Sequence, residues 1–195
     1  MLLDLCYNAK EGCDIMIVLV GASASGKTEL AKQLYQTYGY TKCITTTTRE
    51  PRKNEINGID YHFLSNDEFQ SKMNQNAFYE VTKYNEYFYG IQKADVNRGG
   101  VVIVDPNGAN TLVEKAGRDV FVVYVETSKL VRKQRMTLRG DDPKIIEKRL
   151  TNDAHVFDTK LFKRIDLHLY NEKHTLSELT SAVHNAYQAY LSKHA

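Results

Sequence analysis

Three short apolar runs, residues 15–20, 101–104 and 120–125, are dense in β-branched side chains and show almost no polar alternation. Strands buried on both faces look like this, as in a parallel sheet covered by helices. Between them the apolar period lengthens to three and four. Residues 27–37 and 127–138 have helical spacing, and 175–191 lines up Leu176, Leu179, Val183, Ala186 and Tyr190. A last strand is predicted at 165–169. The chain is therefore expected to be α/β, in three layers around a central parallel sheet. The Met, Leu and Tyr stripes are read as core packing and assigned no chemistry.

The middle breaks this pattern. From 46 to 94 the segments are polar and rich in tyrosine, as in Tyr61-His62-Phe63-Leu64 and Tyr87-Phe88-Tyr89-Gly90, which predicts a small mixed α/β insert. Ser65-Asn66-Asp67-Glu68 has capping-box spacing, so a short helix should cross it. Arg139-Gly140-Asp141-Asp142-Pro143 interrupts a helical region between two basic stretches and reads as a mobile lid at about 136–150. The expected organisation is one domain: core 15–45 and 95–195, insert 46–94, the lid, and an appendage at 1–14.

At 195 residues the chain can bury a core without disulfide or metal staples. Twenty-six Lys and Arg against 24 Asp and Glu leave a net charge of +2, too balanced to hold nucleic acid by bulk charge. Cys6, Cys13 and Cys43 lack C-x-x-C spacing, which argues against a disulfide framework or zinc site and suits a reducing cytoplasm. The longest apolar run is far shorter than the roughly 20 residues a membrane helix needs, so no membrane partner is expected. Residues 1–14 do not have the form of a secretory signal, and Met16, beside the first strand, is an alternative start. Monomer and homodimer are both left open.

Gly21-Ala22-Ser23-Ala24-Ser25-Gly26-Lys27-Thr28 satisfies G-x-x-x-x-G-K-[ST] between a predicted buried strand and a helix, the context a P-loop requires. Backbone N–H groups and the helix N-terminus there would surround a polyphosphate. Lys27 would reach its outer phosphates, and the Thr28 hydroxyl would help hold Mg²⁺. A merely tight strand-to-helix turn is the bland alternative. Val101-Val102-Ile103-Val104-Asp105 adds a strand ending in a carboxylate, where an acid would orient magnesium or its waters; such an Asp alone is more often a turn former.

Thr45-Thr46-Thr47-Thr48-Arg49-Glu50-Pro51-Arg52 sets two guanidiniums three residues apart, suited to a second phosphate, although solvated arginines would look the same. The residues then continue as Asn57-Gly58-Ile59-Asp60-Tyr61-His62-Phe63, with Glu80 and Tyr89-Gly90 beyond. Together these motifs resemble the guanylate kinase family from Met16 through the last strand. The resemblance implies a P-loop NTPase fold and transfer of a phosphoryl group from ATP to GMP with Mg²⁺. It implies that Arg49, Arg52, Tyr61 and Tyr89 hold the GMP phosphate, that Thr45 and Glu80 hold guanine, and that Asp105 lies near acceptor and metal. Arg135, Arg139 and Arg149 resemble lid arginines that close over the phosphoryl groups, and Asn171 falls near the adenine. A carboxylate at Glu80 can accept from the ring N–H and exocyclic amino group of guanine; adenine has no such adjacent donor pair on that edge.

The chain departs from the family pattern in places. Ile91 stands where Ser or Thr is usual, Ile103 replaces an acid, and Pro106-Asn107-Gly108 differs from the usual run. One lost hydrogen bond costs on the order of 1 to 3 kcal/mol, enough to weaken GMP about tenfold, so Ile91→Ser is expected to raise efficiency. Ala22 and Ala24 replace Pro and Gly, and Ala24 would fit poorly at positive φ. These departures keep alive a same-fold kinase of another nucleoside monophosphate or ribose phosphate. A non-catalytic guanylate-kinase-like binding module is disfavoured by the retained lysine loop. A nucleotide-hydrolysing switch would leave the arginine motif unexplained. Metal hydrolases are disfavoured because His62, His155, His168, His174, His184 and His194 form no ligand-spaced cluster.

Overall fold

The computed structural model describes residues 15–84, 86–96 and 99–194; the expectations for 1–14, including Cys6 and Cys13, lie outside them. The chain runs β1 (Met16–Val20), α1 (Lys27–Tyr38), β2 (Thr41–Lys42), β3 (Thr45–Thr47), β4 (His62–Phe63), α2 (Asn66–Asn74), β5 (Phe78–Tyr84), β6 (Tyr87–Gln92), β7 (Gly100–Val104), α3 (Pro106–Ala116), β8 (Val120–Glu126), α4 (Lys129–Leu138), α5 (Pro143–Val156), β9 (Leu167–Tyr170) and α6 (Leu176–His194). Five strands make a parallel sheet in the order β2-β7-β1-β8-β9. β1 lies at its centre with every residue buried. Its alternation feeds two cores. Ile17 and Leu19 join Leu30 and Leu34 of α1 and Val183 and Tyr187 of α6 on one face. Val18 and Val20 join Leu112 of α3 and Phe157 on the other. Full burial of each such side chain is worth roughly 1.5 to 3 kcal/mol, which explains the unbroken apolar runs.

The second sheet has the order β4-β3-β6-β5, antiparallel except where β3 meets β4. Its helix α2 begins at the anticipated capping box of Ser65 and Glu68 and buries Phe69 against Phe78 and Phe88. The stretch expected to act as a lid, about 136–150, falls on the end of α4, a turn in which Gly140 has φ +82°, and the first part of α5. Its own small core is Met136, Ile146 and Leu150, with Ala24 packed against it.

Element boundaries shift from the sequence reading for local reasons. β9 starts at Leu167 rather than 165, because Asp166 is used to accept the Val122 N–H at 2.8 Å and to pair with Arg164. α4 starts at Lys129 because Ser128 caps it. α6 starts after Thr175, whose hydroxyl and Glu178 exchange bonds as a reciprocal cap, and it runs to His194. The sequence reading placed no helix at α3. Pro106-Asn107-Gly108 resembles a turn, yet Asp105 as N-cap with proline in the first turn is a helix start.

Candidate active site

The loop from Gly21 to Thr28 leaves β1 and enters α1, with its helix end uncapped by any side chain at Gly26. Gly26 has φ +100°, and an added Cβ would lie 2.2 Å from Asn171 Nδ2, so only glycine fits there. The loop is braced from outside. Asn171 Nδ2 donates to Ser25 O at 2.7 Å, and Thr127 Oγ1 donates to the same carbonyl at 3.0 Å. Arg135 donates to Ala24 O at 3.2 Å and to Asn171 O at 3.2 Å. Lys27 Nζ donates to Gly21 O at 2.5 Å and Ala22 O at 3.0 Å, folded back on its own loop. Desolvation by burial lowers its pKa to about 8, against the opposing charge of Asp153. Ala24 does take a positive φ, +60°. That backbone costs an L residue roughly 1 to 2 kcal/mol, partly offset by burying its methyl in the lid core.

The residues expected to hold the acceptor lie on the second sheet (Thr45, Glu80, Tyr89) or in its β3–β4 connection (Arg49, Arg52, Tyr61). Gly21, Lys27, Arg49, Arg52, Glu80 and Tyr89 line one cavity of about 270 Å³. Tyr79 bulges between β5 and β6, and Glu80 comes into register with Ile91, which in turn faces Thr45. Both Glu80 carboxylate oxygens are buried without a hydrogen-bond partner. Burial, and then the nearby Asp105, raise its pKa to about 8. An added Cβ at Gly108 would stand 3.3 Å from both oxygens, so this glycine keeps the space in front of the carboxylate clear. Thr45 Oγ1 donates to Ile103 O at 3.4 Å. Asp105 accepts from Gly108 N at 2.8 Å and from Thr82 Oγ1 at 3.0 Å, and burial raises its pKa despite those bonds. Ile103 lines the cavity, whereas Ile91 is fully buried in the core beside Val102 and Val104.

The arginines are held by two carboxylates that the sequence reading did not single out. Arg49 Nη2 donates to both oxygens of Glu55, at 3.0 and 2.8 Å, and its guanidinium lies 5.3 Å over the Tyr61 ring. Glu55 also accepts from the Arg52 backbone N–H at 2.8 Å. Asp141 pairs with Arg149 at 2.9 Å and with Arg139. Arg52 is pushed below its ordinary pKa by desolvation and then by Arg49, Arg139 and Arg149, so four guanidiniums converge on the cleft. Asp153 is the other overlooked residue. It is 1% exposed, pairs with buried Arg132 at 2.9 Å, and accepts the Ser23 N–H at 2.8 Å. Its signal lay in the spacing Ile146, Leu150, Asp153, which sets an acid on the buried stripe of α5.

A P-loop at the carboxyl edge of a parallel sheet, facing an arginine cradle across one cavity, defines a P-loop protein built to bring two phosphorylated ligands together. The guanylate kinase family model matches residues 14–186. The chain is 34% identical over 146 residues to a guanylate kinase of Caulobacter vibrioides, covering 70% of this chain and 68% of that protein. It is 33% identical over 145 residues to one of Helicobacter pylori, with 70% of each covered. Among solved structures, a guanylate kinase from Anaplasma phagocytophilum matches with TM-score 0.72 and 22% identity, covering 90% of this chain and 85% of that one. A gluconokinase from Sinorhizobium meliloti shares the fold more distantly, with TM-score 0.55 and 16% identity. The chain belongs to the guanylate kinase family.

Proposed function

We infer that this protein phosphorylates GMP with ATP, giving GDP and ADP. The observation that carries this is the single cavity walled on one side by the lysine loop and on the other by Arg49, Arg52 and the unpartnered Glu80 carboxylate. An orphaned buried carboxylate behind a glycine gap is costly unless a ligand with paired donors completes it, and the N1–H and exocyclic amino group of guanine are such a pair.

We assign Arg49, Arg52, Tyr61 and Tyr89 to the acceptor phosphate, Thr45 and Glu80 to the base, and the loop residues with Thr28 to the donor phosphates. The acceptor phosphate is already ionised, so the transfer needs no general base; positioning and charge neutralisation carry it. Lys27 must exchange its loop carbonyls for phosphate oxygens, which also relieves its desolvation. Arg139 and Arg149 must leave Asp141 to face the transferring group, while Arg135 and Asn171 brace the loop. Among the described residues no group of three or more His, Cys, Asp or Glu could hold a metal alone. The exposed Thr28 hydroxyl at the cavity suits an Mg²⁺ that arrives on the nucleotide phosphates. When bound, that ion would orient the phosphates and offset their charge. No helix among the described residues is long and apolar enough to cross a membrane, and a cytoplasmic enzyme acting on free nucleotides is the proposed setting.

The test is ADP release from ATP and Mg²⁺ with GMP, dGMP, AMP, CMP, UMP or ribose phosphates as acceptor. GMP-dependent release is expected. Its absence with GMP but presence with another acceptor would move the substrate, and no acceptor dependence at all would leave a binding module. Lys27→Ala should lower GMP-dependent turnover by orders of magnitude in the same assay.

A further inference from the structure

β5 carries three side chains in a row toward the cavity: Glu80, Thr82 and Tyr84, spaced by two and therefore on one face of the strand. Glu80 faces the acceptor base pocket. Thr82 holds Asp105. The Tyr84 hydroxyl crosses to the lid and donates to Asp153 Oδ1. The other oxygen of Asp153 accepts the backbone N–H of Ser23, inside the phosphate loop, and pairs with Arg132. Arg132 in turn donates to Thr127 O at 3.2 Å, and the Thr127 hydroxyl grips Ser25 O at 3.0 Å. One buried carboxylate thus ties the acceptor strand to two points of the donor loop.

We propose that Asp153 is a positioning residue and that the Tyr84–Asp153 hydrogen bond couples acceptor binding to the geometry of the donor loop. The proposal rests on the GMP kinase reading. An acceptor that engages Glu80 fixes β5, and with it the Tyr84 hydroxyl. The carboxylate that bridges Tyr84 and Ser23 then favours one setting of the loop. By linkage the effect is reciprocal: each nucleotide tightens the other by the same factor. Tyr84 also meets Phe157 edge-on, with ring centroids 6.0 Å apart, so its ring stays anchored without the hydroxyl. Asp153 keeps Arg132 and Ser23 as partners in that variant, so Tyr84→Phe removes the hydroxyl's bond to Asp153 and leaves the links from Asp153 to the loop in place.

The experiment measures the dissociation constant of adenylyl imidodiphosphate with Mg²⁺, with and without saturating GMP, by calorimetry. For the wild type, GMP should tighten the analogue about fivefold or more, the lower end of usual coupling. In Tyr84→Phe that ratio should fall toward one, while each ligand alone binds within about twofold of wild type and the melting temperature barely moves. Asp153→Asn should also lose the ratio and in addition weaken the analogue alone, because the Ser23 N–H loses its anionic acceptor. In steady state, Tyr84→Phe should raise the KM of each nucleotide measured at saturation of the other, with little change in kcat. A wild-type ratio retained in Tyr84→Phe would overturn the proposal, as would a wild-type ratio of one with GMP demonstrably bound. Failure of GMP to bind the wild type at all would instead overturn the reading it rests on.

Discussion

Glu80 is held in two opposed ways. As a buried carboxyl without partners it prefers its proton, and its pKa stands near 8 against 4.5 in an unfolded chain. The folded state therefore binds the proton more readily than the unfolded state. Stability from this group is full below about pH 4.5 and declines as pH rises through about 8. Glu80→Gln removes that decline, so the ligand-free variant should exceed wild type in unfolding free energy at pH 8.5 by on the order of a few kcal/mol, with little difference near pH 4.5. Function moves the other way. Guanine donors need the anion, so wild-type affinity for GMP should improve between pH 6.5 and 8.5 as Glu80 ionises beside Asp105 and Lys115. Glu80→Gln should flatten that profile and cost roughly 10- to 150-fold in acceptor affinity, the loss of a charge-assisted bond. Calorimetric titration of GMP across pH checks both. Ala24 sets a smaller balance, left-handed strain against a methyl packed on the lid core. Ala24→Gly should therefore stay within about 1 kcal/mol of wild type in urea unfolding.

At the scale of elements, α4 and α5 are attached to the loop by charge as well as by apolar packing. Arg132 and Asp153 are both buried, so either charge without its counter-charge would be poorly solvated. Arg132→Ala strands the carboxylate and should cost about 3 to 5 kcal/mol in unfolding free energy, more than truncating the exposed Lys133 on the same helix. This pair also shows where sequence reading stops. Periodicity located β1, β7 and β8 because burial on both faces leaves almost no polar positions, whereas the two-residue edge strand β2 has no apolar run to reveal it; the P-loop and arginine motifs stood out because their chemistry is tied to short spacing. Glu55, Asp141 and Asp153 escaped because an acid near arginines reads as a solvated helix or turn charge. Only the fold shows that Asp153, 130 residues from Ser23, accepts the N–H of that residue. α3 escaped because its start chemistry, Asp105 then Pro106 and Gly108, resembles that of a turn. Ile91 belongs with these: its expected effect on the base contact assumed a cavity wall, whereas its side chain is core. Ile91→Ser should first lower stability through a cavity.

Across the whole molecule, the cleft gathers Arg49, Arg52, Arg139 and Arg149, and the chain supplies Glu55 and Asp141 as internal anions. Arg49 shows their strength. Burial alone would lower its pKa, but the Glu55 bonds and the charges of Glu55, Tyr89 and Tyr61 together raise it. On the proposed assignment of Arg49, Glu55 occupies guanidinium donors that the acceptor phosphate would need, so the two anions would have to exchange. Glu55→Gln keeps the shape and removes the competing charge. Without ligand it should be less stable than wild type, because four guanidiniums lose half their internal neutralisation. Inorganic phosphate should then restore more in the variant than in wild type, seen as a larger rise in melting temperature per decade of phosphate. Sodium chloride at matched ionic strength should narrow the ligand-free gap without that excess, since screening acts on repulsion and not on bidentate binding. An equal phosphate response in both proteins would mean that Glu55 orients Arg49 without standing in for the substrate's charge. Its variant should then raise the KM for GMP and leave the anion response untouched.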